Sequence, residues 1–310
     1  MAEADLEREL ALVRDAAAGR PGGVFGPGSM VWRVDREAAV FLAAGRALLM
    51  QLAHPWVAAA IAEHSRSLAD PIGRFHRTFG FVFTMVFGTT DEAVAAARRL
   101  YQRHAAISGI LAESAGAFPA GSAYRANDVA ALRWVFATLA DSAIVAFELV
   151  NPPLSAEERE RYYAEFRVFA AFFGIPQTAL PPNWPGFLDY VEQMLGSDTL
   201  VVSTAARSIA AQLFAGAGTR LHSPRWYRAL TAKMLPDPLR QGFGLPFGPA
   251  EEHAAERALT VLRLLYRHMP APLRHVGPYR EACARFAGRK PGAPTRLLNR
   301  FWIGRDSIAG

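Results

Sequence analysis

Residues 70–109 read DPIGRFHRTFGFVFTMVFGTTDEAVAAARRLYQRHAAISG and predict two consecutive helices. Asp70 followed by Pro71 is a typical helix start, because the aspartate can cap free N–H groups and proline at the first position loses no hydrogen bond. A glycine-threonine break ends the first helix. We expect Asp91 to cap the second, and Gly109 suits the left-handed position at its end.

The first helix combines cations near its start with apolar side chains further along. One face of this helix carries four residues, spaced four, three and four positions apart: Arg74, Thr78, Phe81 and Met85. Arg77 lies beside Arg74 on the neighbouring line. Arginines in this position usually form a solvated face, so the pattern alone does not indicate a site.

The second helix carries a histidine on its apolar side. Its stripe contains Val94, Ala97, Tyr101 and His104, and the charged residues lie largely off it. A lone histidine on an apolar stripe is more often a core residue bonded to a carbonyl than a metal ligand. The spacing therefore leaves both interpretations of His104 open.

Several motifs occur here in a fixed order. RxxRT at residues 74–78 stands about thirty residues before HxxISG at residues 104–109. GRALLMQLAHPWVAAAIAEHS precedes them and YRANDVAALRWVFATLADS follows. In this order they resemble the DUF2236 family, which includes the MpaB-type oxygenases and the catalytic domain of the latex-clearing rubber oxygenases. The resemblance covers roughly residues 25 to 245.

The resemblance implies a haem-dependent oxidoreductase, most simply an oxygenase. A non-covalent haem b would be held by Arg74, Thr78 and His104, with His104 as the ligand of the iron. Arg77 and Thr78 would be the catalytic residues. O2 and a small apolar substrate, for which isoprenoid-like molecules are candidates, would be the partners, together with a possible electron donor.

The sequence also departs from the rubber oxygenases. Arg77 stands where they have a lysine, which preserves the charge but not the geometry or the capacity for proton transfer. Their upstream acidic residue has no clear counterpart, although Glu63 lies nearby. Rubber cleavage is therefore not expected, and two further functions stay open: a haem-binding or sensor protein without turnover, and an all-α ligand-binding scaffold whose haem site has decayed.

The sequence lacks the motifs of other metal, nucleotide and hydrolase sites. The chain has no Glu-x-x-His pair, no HExxH, no CxxCH, no GxGxxG or P-loop and no GxSxG. Cys283 is the only cysteine, which excludes a zinc-cysteine cluster and favours ordinary packing.

His54, beside the helix-breaking Pro55, is either a core imidazole or a pocket residue. Asp141 is either a structural ion-pair partner or a haem-pocket acid. The aromatic run offers pocket-lining candidates that are otherwise core: Phe79, Phe81, Phe83, Met85 and Phe87.

Composition favours a cytoplasmic protein. The net charge of +6 rests on 34 basic residues, but these are scattered among acids, the densest run being residues 289–300, so we expect no nucleic-acid partner. The acidic N-terminus does not resemble a signal peptide, and the longest uncharged apolar stretch, residues 79–88, is too short to span a membrane.

Periodicity predicts an all-α fold, since alternating strand patterns are nearly absent. We expect a single globular multi-helix domain around a buried haem pocket. Its parts would be an N-terminal helix and loop at residues 1–24, the haem-binding domain at 25–270 and a C-terminal extension at 271–310. The extension is rich in Arg, Pro and Gly and is expected to be an extended tail. Oligomeric state is left open.

Overall fold

A computed structural model of the chain describes residues 1–19, 22–64, 70–216 and 223–308. Its regular structure is helical apart from one two-stranded antiparallel sheet, which confirms the all-α prediction. The α-helices in chain order are α1 (Glu3–Ala17), α2 (Met30–Asp35), α3 (Ala44–Leu52), α4 (Pro55–His64), α5 (Pro71–Phe87), α6 (Thr90–Ala105), α7 (Val129–Val150), α8 (Ala156–Ala171), α9 (Trp184–Leu195), α10 (Thr204–Phe214), α11 (Arg225–Met234), α12 (Asp237–Gly242), α13 (Pro249–His268), α14 (Ala271–Arg274), α15 (Gly277–Phe286) and α16 (Ala293–Ile303). The strands are β1 (Ser108–Ile110) and β2 (Ala123–Arg125), and short 3₁₀ helices cover Ala38–Ala43 and Gln177–Ala179.

One continuous hydrophobic core joins these helices, from Leu6 in α1 to Ile308 beyond α16. The helix α7 runs through it, and the indole of Trp134 is fully buried there, donating to the carbonyl of Met50 at 2.8 Å. Because elements from both ends of the chain share this core, the protein is a single all-α domain.

The helix α7 begins at a side-chain cap. The Asp128 carboxylate accepts hydrogen bonds from the N–H groups of Ala130 and Ala131, which satisfies two donors of the first turn. By length and composition α7 could cross a membrane, but 61% of its apolar window is buried inside the protein, as in a core helix. The bent pair of Ala38–Leu52 and Pro55–His64 passes the same test only if both helices are taken together.

A sharp corner separates α3 from α4. The apolar stretch before this corner is divided into α2, a 3₁₀ helix and α3. The chain then turns by 103° into α4, which begins at Pro55. Proline cannot continue the preceding helix, since it lacks the N–H and clashes with the turn before it. His54 consequently lies at the corner.

The helices α5 and α6 form the predicted pair. Asp70 caps α5 as expected, with Oδ1 accepting from the Gly73 N–H at 2.8 Å. The cap of α6 is Thr89 rather than Asp91, because Thr89 and Glu92 exchange hydrogen bonds in a capping box.

The predicted end of α6 was also wrong. The helix stops at Ala105, and Gly109 lies in β1, where it pairs with Tyr124 of β2. A Cβ at Gly109 would come within 2.5 Å of the Tyr124 hydroxyl oxygen, so this glycine permits a close approach of the strands rather than a left-handed turn.

The C-terminal extension is folded into helices, which differs from the extended tail that its composition suggested. Three of its prolines lie in first helical turns, where the missing N–H costs nothing: Pro272 in α14, Pro278 in α15 and Pro294 in α16. The helix α16 packs along α5, and Trp302 stacks on Phe41 with ring centroids 4.1 Å apart. The extension thus covers one side of α5.

A buried carboxylate fastens this extension to the body of the domain. Glu37 accepts from the Tyr266 hydroxyl at 2.6 Å and lies 3.2 Å from Arg274 and 3.5 Å from His275. Burial alone would raise the pKa of Glu37. The hydrogen bonds from His275 and Tyr266 and the charge of Arg274 outweigh that effect and hold the pKa below its usual value.

Candidate functional site

The two arginines of α5 lie in different surroundings. Arg74 is half-buried; burial lowers the pKa of its guanidinium, and the nearby charge of Arg77 lowers it further, although an arginine stays cationic at neutral pH. Arg77 is exposed and forms an ion pair with Asp70, with Nη1 and Oδ2 3.0 Å apart. Thr78 is exposed as well. The motif therefore directs one cation inward and keeps another at the surface.

His104 lies in the last turn of α6 and is half-buried. Burial, with a smaller contribution from the charge of Arg103, lowers the pKa of His104 to about 4. The imidazole is thus neutral at physiological pH, which is the protonation state that a metal ligand requires. Within the part of the chain that the structure describes, no hydrogen bond to the His104 ring is found.

A small cavity lies beside this ring. Its empty volume of about 170 Å³ includes open solvent, and it has no room for a water molecule. It is lined by residues from α6, from the segment after α8 and from the segment before α7. Its lining consists of Leu100, Tyr101, His104, Asn127, Phe172 and Phe173. Ligand pockets typically measure about 300–1,000 Å³, so this space is too small for a macrocycle as it stands.

The predicted site residues are only partly brought together. Arg74, Arg77 and Thr78 share the first half of α5, but none of them lines the cavity beside His104. Asn127 does line it and donates to the carbonyl of Tyr101 at 3.2 Å. We did not predict this role for Asn127, although it belongs to the YRAND stretch that carried the family resemblance.

The aromatic residues of α5 form a ladder rather than a pocket lining. Phe75, Phe79, Phe83 and Phe87 follow one another with ring centroids 4.7, 5.7 and 5.7 Å apart. Phe83, Met85 and Phe87 are buried in the core. Phe81 points elsewhere and lies under the guanidinium of Arg103, 5.8 Å from it. Most of these residues of α5 are therefore ordinary packing residues rather than the lining of a pocket.

His54 is a second buried, neutral imidazole. Its side chain is 2% exposed, and burial lowers its pKa to about 4. The ring lies against Trp56 and Phe118, and Nδ1 has no hydrogen-bond partner among the described residues. Pro55 indicated the corner in advance, but the contact with Phe118, about sixty residues later, had no local signal.

Two acidic residues that the sequence left uncertain have structural partners. Asp141 forms an ion pair with Arg46 at 2.5 Å, and Arg46 also donates to the Ser142 hydroxyl and the Met234 carbonyl. Glu63 accepts from the Tyr124 hydroxyl at 2.7 Å, next to β1. Asp141 is therefore accounted for by packing, whereas Glu63 lies near the strand that follows His104.

The described residues contain no group of three or more His, Cys, Asp or Glu side chains placed to hold a metal ion. A di-iron or zinc site built from such groups accordingly has no support in residues 1–19, 22–64, 70–216 and 223–308. Haem needs far fewer protein ligands, since the macrocycle supplies four of the iron's ligands itself. A single neutral imidazole such as His104 is sufficient donor chemistry for it.

Comparison with known proteins supplies the family. Searches among curated proteins and among solved structures found no match. A family model described as ER-bound oxygenase mpaB/B'/Rubber oxygenase, catalytic domain, matches residues 32–268, which is more than half of the chain. The match contains α5, α6 and the cavity beside His104 and stops before α14. The chain belongs to this family of oxygenase catalytic domains.

Proposed function

We propose that this oxygenase uses a non-covalent haem b, with His104 as the protein ligand of the iron. The observation that carries the proposal is the neutral, half-buried imidazole at the end of α6. It lies in the HxxISG motif, within the residues that the oxygenase family model matches. Bound haem would supply the iron redox chemistry that activates O2.

The cations of α5 would hold the haem carboxylates. A carboxylate beside apolar helices needs a charged partner, and arginine forms bidentate hydrogen bonds with it. Arg74 suits this role better than Arg77, because it is half-buried whereas Arg77 is paired with Asp70 at the surface. Thr78 would contribute its hydroxyl. A guanidinium has five N–H donors and no acceptor, so Arg77 would orient or steer an anion.

The space beside His104 constrains this proposal. Because the cavity has no room even for a water molecule, a haem at His104 requires the side chains that line it to move. Tyr101, Phe172 and Phe173 are the bulky members of that lining. We therefore expect haem uptake to loosen the packing between α6 and the residues that follow α8, which native-state hydrogen exchange of these two segments would register.

Substrate and partners follow from the family and from composition. We propose a small apolar substrate together with O2, and an external electron donor where the reaction requires reduction. Rubber cleavage is not part of the proposal, because Arg77 replaces the lysine of the rubber oxygenases and Glu63 hydrogen-bonds Tyr124.

Incubation of the reduced, haem-loaded protein with O2 and a panel of apolar alkenes and isoprenoids tests this function. Product formation coupled to O2 consumption, lost in H104A and retained in H253A, is the expected result. His253 is an exposed histidine of α13 and serves as the matched control. A haem-loaded protein that consumes no O2 and forms no product would instead be a haem-binding or sensor protein.

A further inference from the structure

A second cavity lies outside the oxygenase match. It has a volume of about 470 Å³ and is built entirely from residues 279–295, that is, from α15, the loop after it and the start of α16. The family match ends at residue 268, so this cavity belongs to the C-terminal extension. Its volume falls within the range of about 300–1,000 Å³ that is typical of small-molecule sites.

The described residues that line the cavity include three cationic side chains and no acidic one. Arg280 comes from α15, and Arg289 and Lys290 come from the loop that connects it to α16. Arg280 makes only a long hydrogen bond of 3.4 Å to the carbonyl of Pro272. In the described residues none of the three cations forms an ion pair. Like charges around one cavity repel each other, and a multiply charged anion would relieve that repulsion.

The rest of the lining is apolar or small. The Tyr279 ring, the Cys283 thiol, Ala284 and Pro294 form its walls, and the buried Thr295 lies at its edge. Tyr279 is fixed by edge-to-face contacts with Trp32 and Phe87, whose ring centroids lie 5.7 and 5.8 Å away. The site therefore offers a rigid aromatic surface next to the cations. It suits a ligand with both an anionic group and an apolar body.

We propose that this cavity, named here the C-terminal cavity, binds an organic phosphate. A phosphate monoester carries nearly two negative charges at neutral pH and three strong acceptor oxygens, which matches Arg280, Arg289 and Lys290. Its organic part would lie against Tyr279. The start of α16 adds a favourable dipole, since α16 begins beside the same loop. Arg289 and Lys290, at the start of the basic run of residues 289–300, then have a local role.

Cys283 provides a native reporter for the test. It is the only cysteine of the chain, and it is half-buried in the cavity wall. The rate of its alkylation by iodoacetamide is measured by intact mass spectrometry, alone and with phenyl phosphate, inorganic phosphate or uncharged phenyl glucoside. Calorimetry with the same compounds measures binding directly, including the case in which the thiol does not react.

The expected result is protection of Cys283 by phenyl phosphate, weaker protection by inorganic phosphate and none by phenyl glucoside. R289Q/K290Q should weaken phenyl phosphate binding about tenfold, because two charge-assisted contacts are lost. The control R161Q/R257Q removes the same charge from exposed arginines of α8 and α13 and should bind as the native protein does. Circular dichroism verifies that the variants are folded.

A separate arm identifies the source of the phosphate. Phosphatidylcholine vesicles with and without phosphatidic acid replace the soluble compounds in the alkylation and binding measurements. Protection by the phosphatidic acid vesicles alone would make the ligand a lipid headgroup, whereas protection by phenyl phosphate would make it a soluble ester. No binding and no protection in either arm, or equal binding by R289Q/K290Q, would overturn the proposal.

Discussion

The guanidinium of Arg77 lies 3.0 Å from the carboxylate of Asp70, and the same carboxylate group caps the first turn of α5 through Gly73. One residue thus starts the helix and holds the second arginine of the RxxRT motif at the surface. Arg74, three residues earlier in the motif, is half-buried. The two arginines therefore have separate roles.

Replacing the arginines one at a time should separate those roles. We expect R74Q to weaken haemin binding by about tenfold to a hundredfold, the worth of one or two charge-assisted hydrogen bonds. R77Q should change it by less than about threefold, because the Arg77 charge is already paired with Asp70 in water. Titration of haemin into the purified apoprotein measures both, with R161Q as a control. A larger effect from R77Q would reverse the assignment.

The stability that Asp70 contributes as the cap of α5 should depend on pH. The hydrogen bond from the Arg77 side chain, and after it the one from the Gly73 N–H, holds the pKa of Asp70 below its usual value. Asp70 therefore stabilises the folded state at any pH above the ordinary aspartate pKa. It loses this effect as the pH falls through the lowered pKa of the folded state. D70N keeps a capping side chain but removes the charge. Its melting temperature should lie below that of the native protein at pH 7, and the gap should close below about pH 3. A gap that persists in acid would contradict the charge argument.

Glu37 should be among the most costly single substitutions. E37Q leaves Arg274, His275 and Tyr266 without their buried carboxylate, and breaking a buried pair typically costs about 3–5 kcal/mol. Urea unfolding monitored by tryptophan fluorescence measures the loss. E256Q, which breaks the exposed pair with Lys233, should stay within about 0.5 kcal/mol of the native protein. Equal effects of the two variants would show that Glu37 does not fasten the extension.

The buried histidines should make the apoprotein sensitive to mild acid. Burial lowers the pKa of His54 to about 4, below the ordinary value of 6.5, so the unfolded state takes up a proton first as the pH falls. The free energy of unfolding therefore decreases from about pH 6.5 to pH 4, by an amount on the order of 1–2 kcal/mol for one histidine at pH 5. Comparison of urea midpoints at pH 7 and pH 5 should show a smaller decrease in H54Q. An unchanged decrease would mean that His54 is not buried in its neutral form.

Local sequence signals predicted the start of α5 well. Asp70 and Pro71 act within one helical turn, so the sequence contains all the information that the cap requires. The Ser155 capping box and the opening of α13 at Pro249 are equally local, since each is completed within the first helical turn. The all-α fold and the oxygenase family are confirmed as well.

Features that depend on contacts between residues far apart in the chain could not be predicted from the sequence. Gly109 resembled a helix end, but its pairing with Tyr124 placed it in a strand. The wrong expectation of an extended tail came from composition, which does not show that the prolines fall in first turns. The cavity beside His104 combines α6 with Phe172 and Phe173, and no periodicity within α6 could indicate its small size.

The most direct test of the account is the absorption spectrum of the protein expressed with a haem precursor. We predict a Soret band that H104A abolishes or shifts, while H54A and the exposed H253A leave its position unchanged in protein that circular dichroism shows to be folded. A folded, colourless protein that takes up no haemin, or a Soret band that H104A leaves unaltered, would contradict the assignment of His104 as the iron ligand.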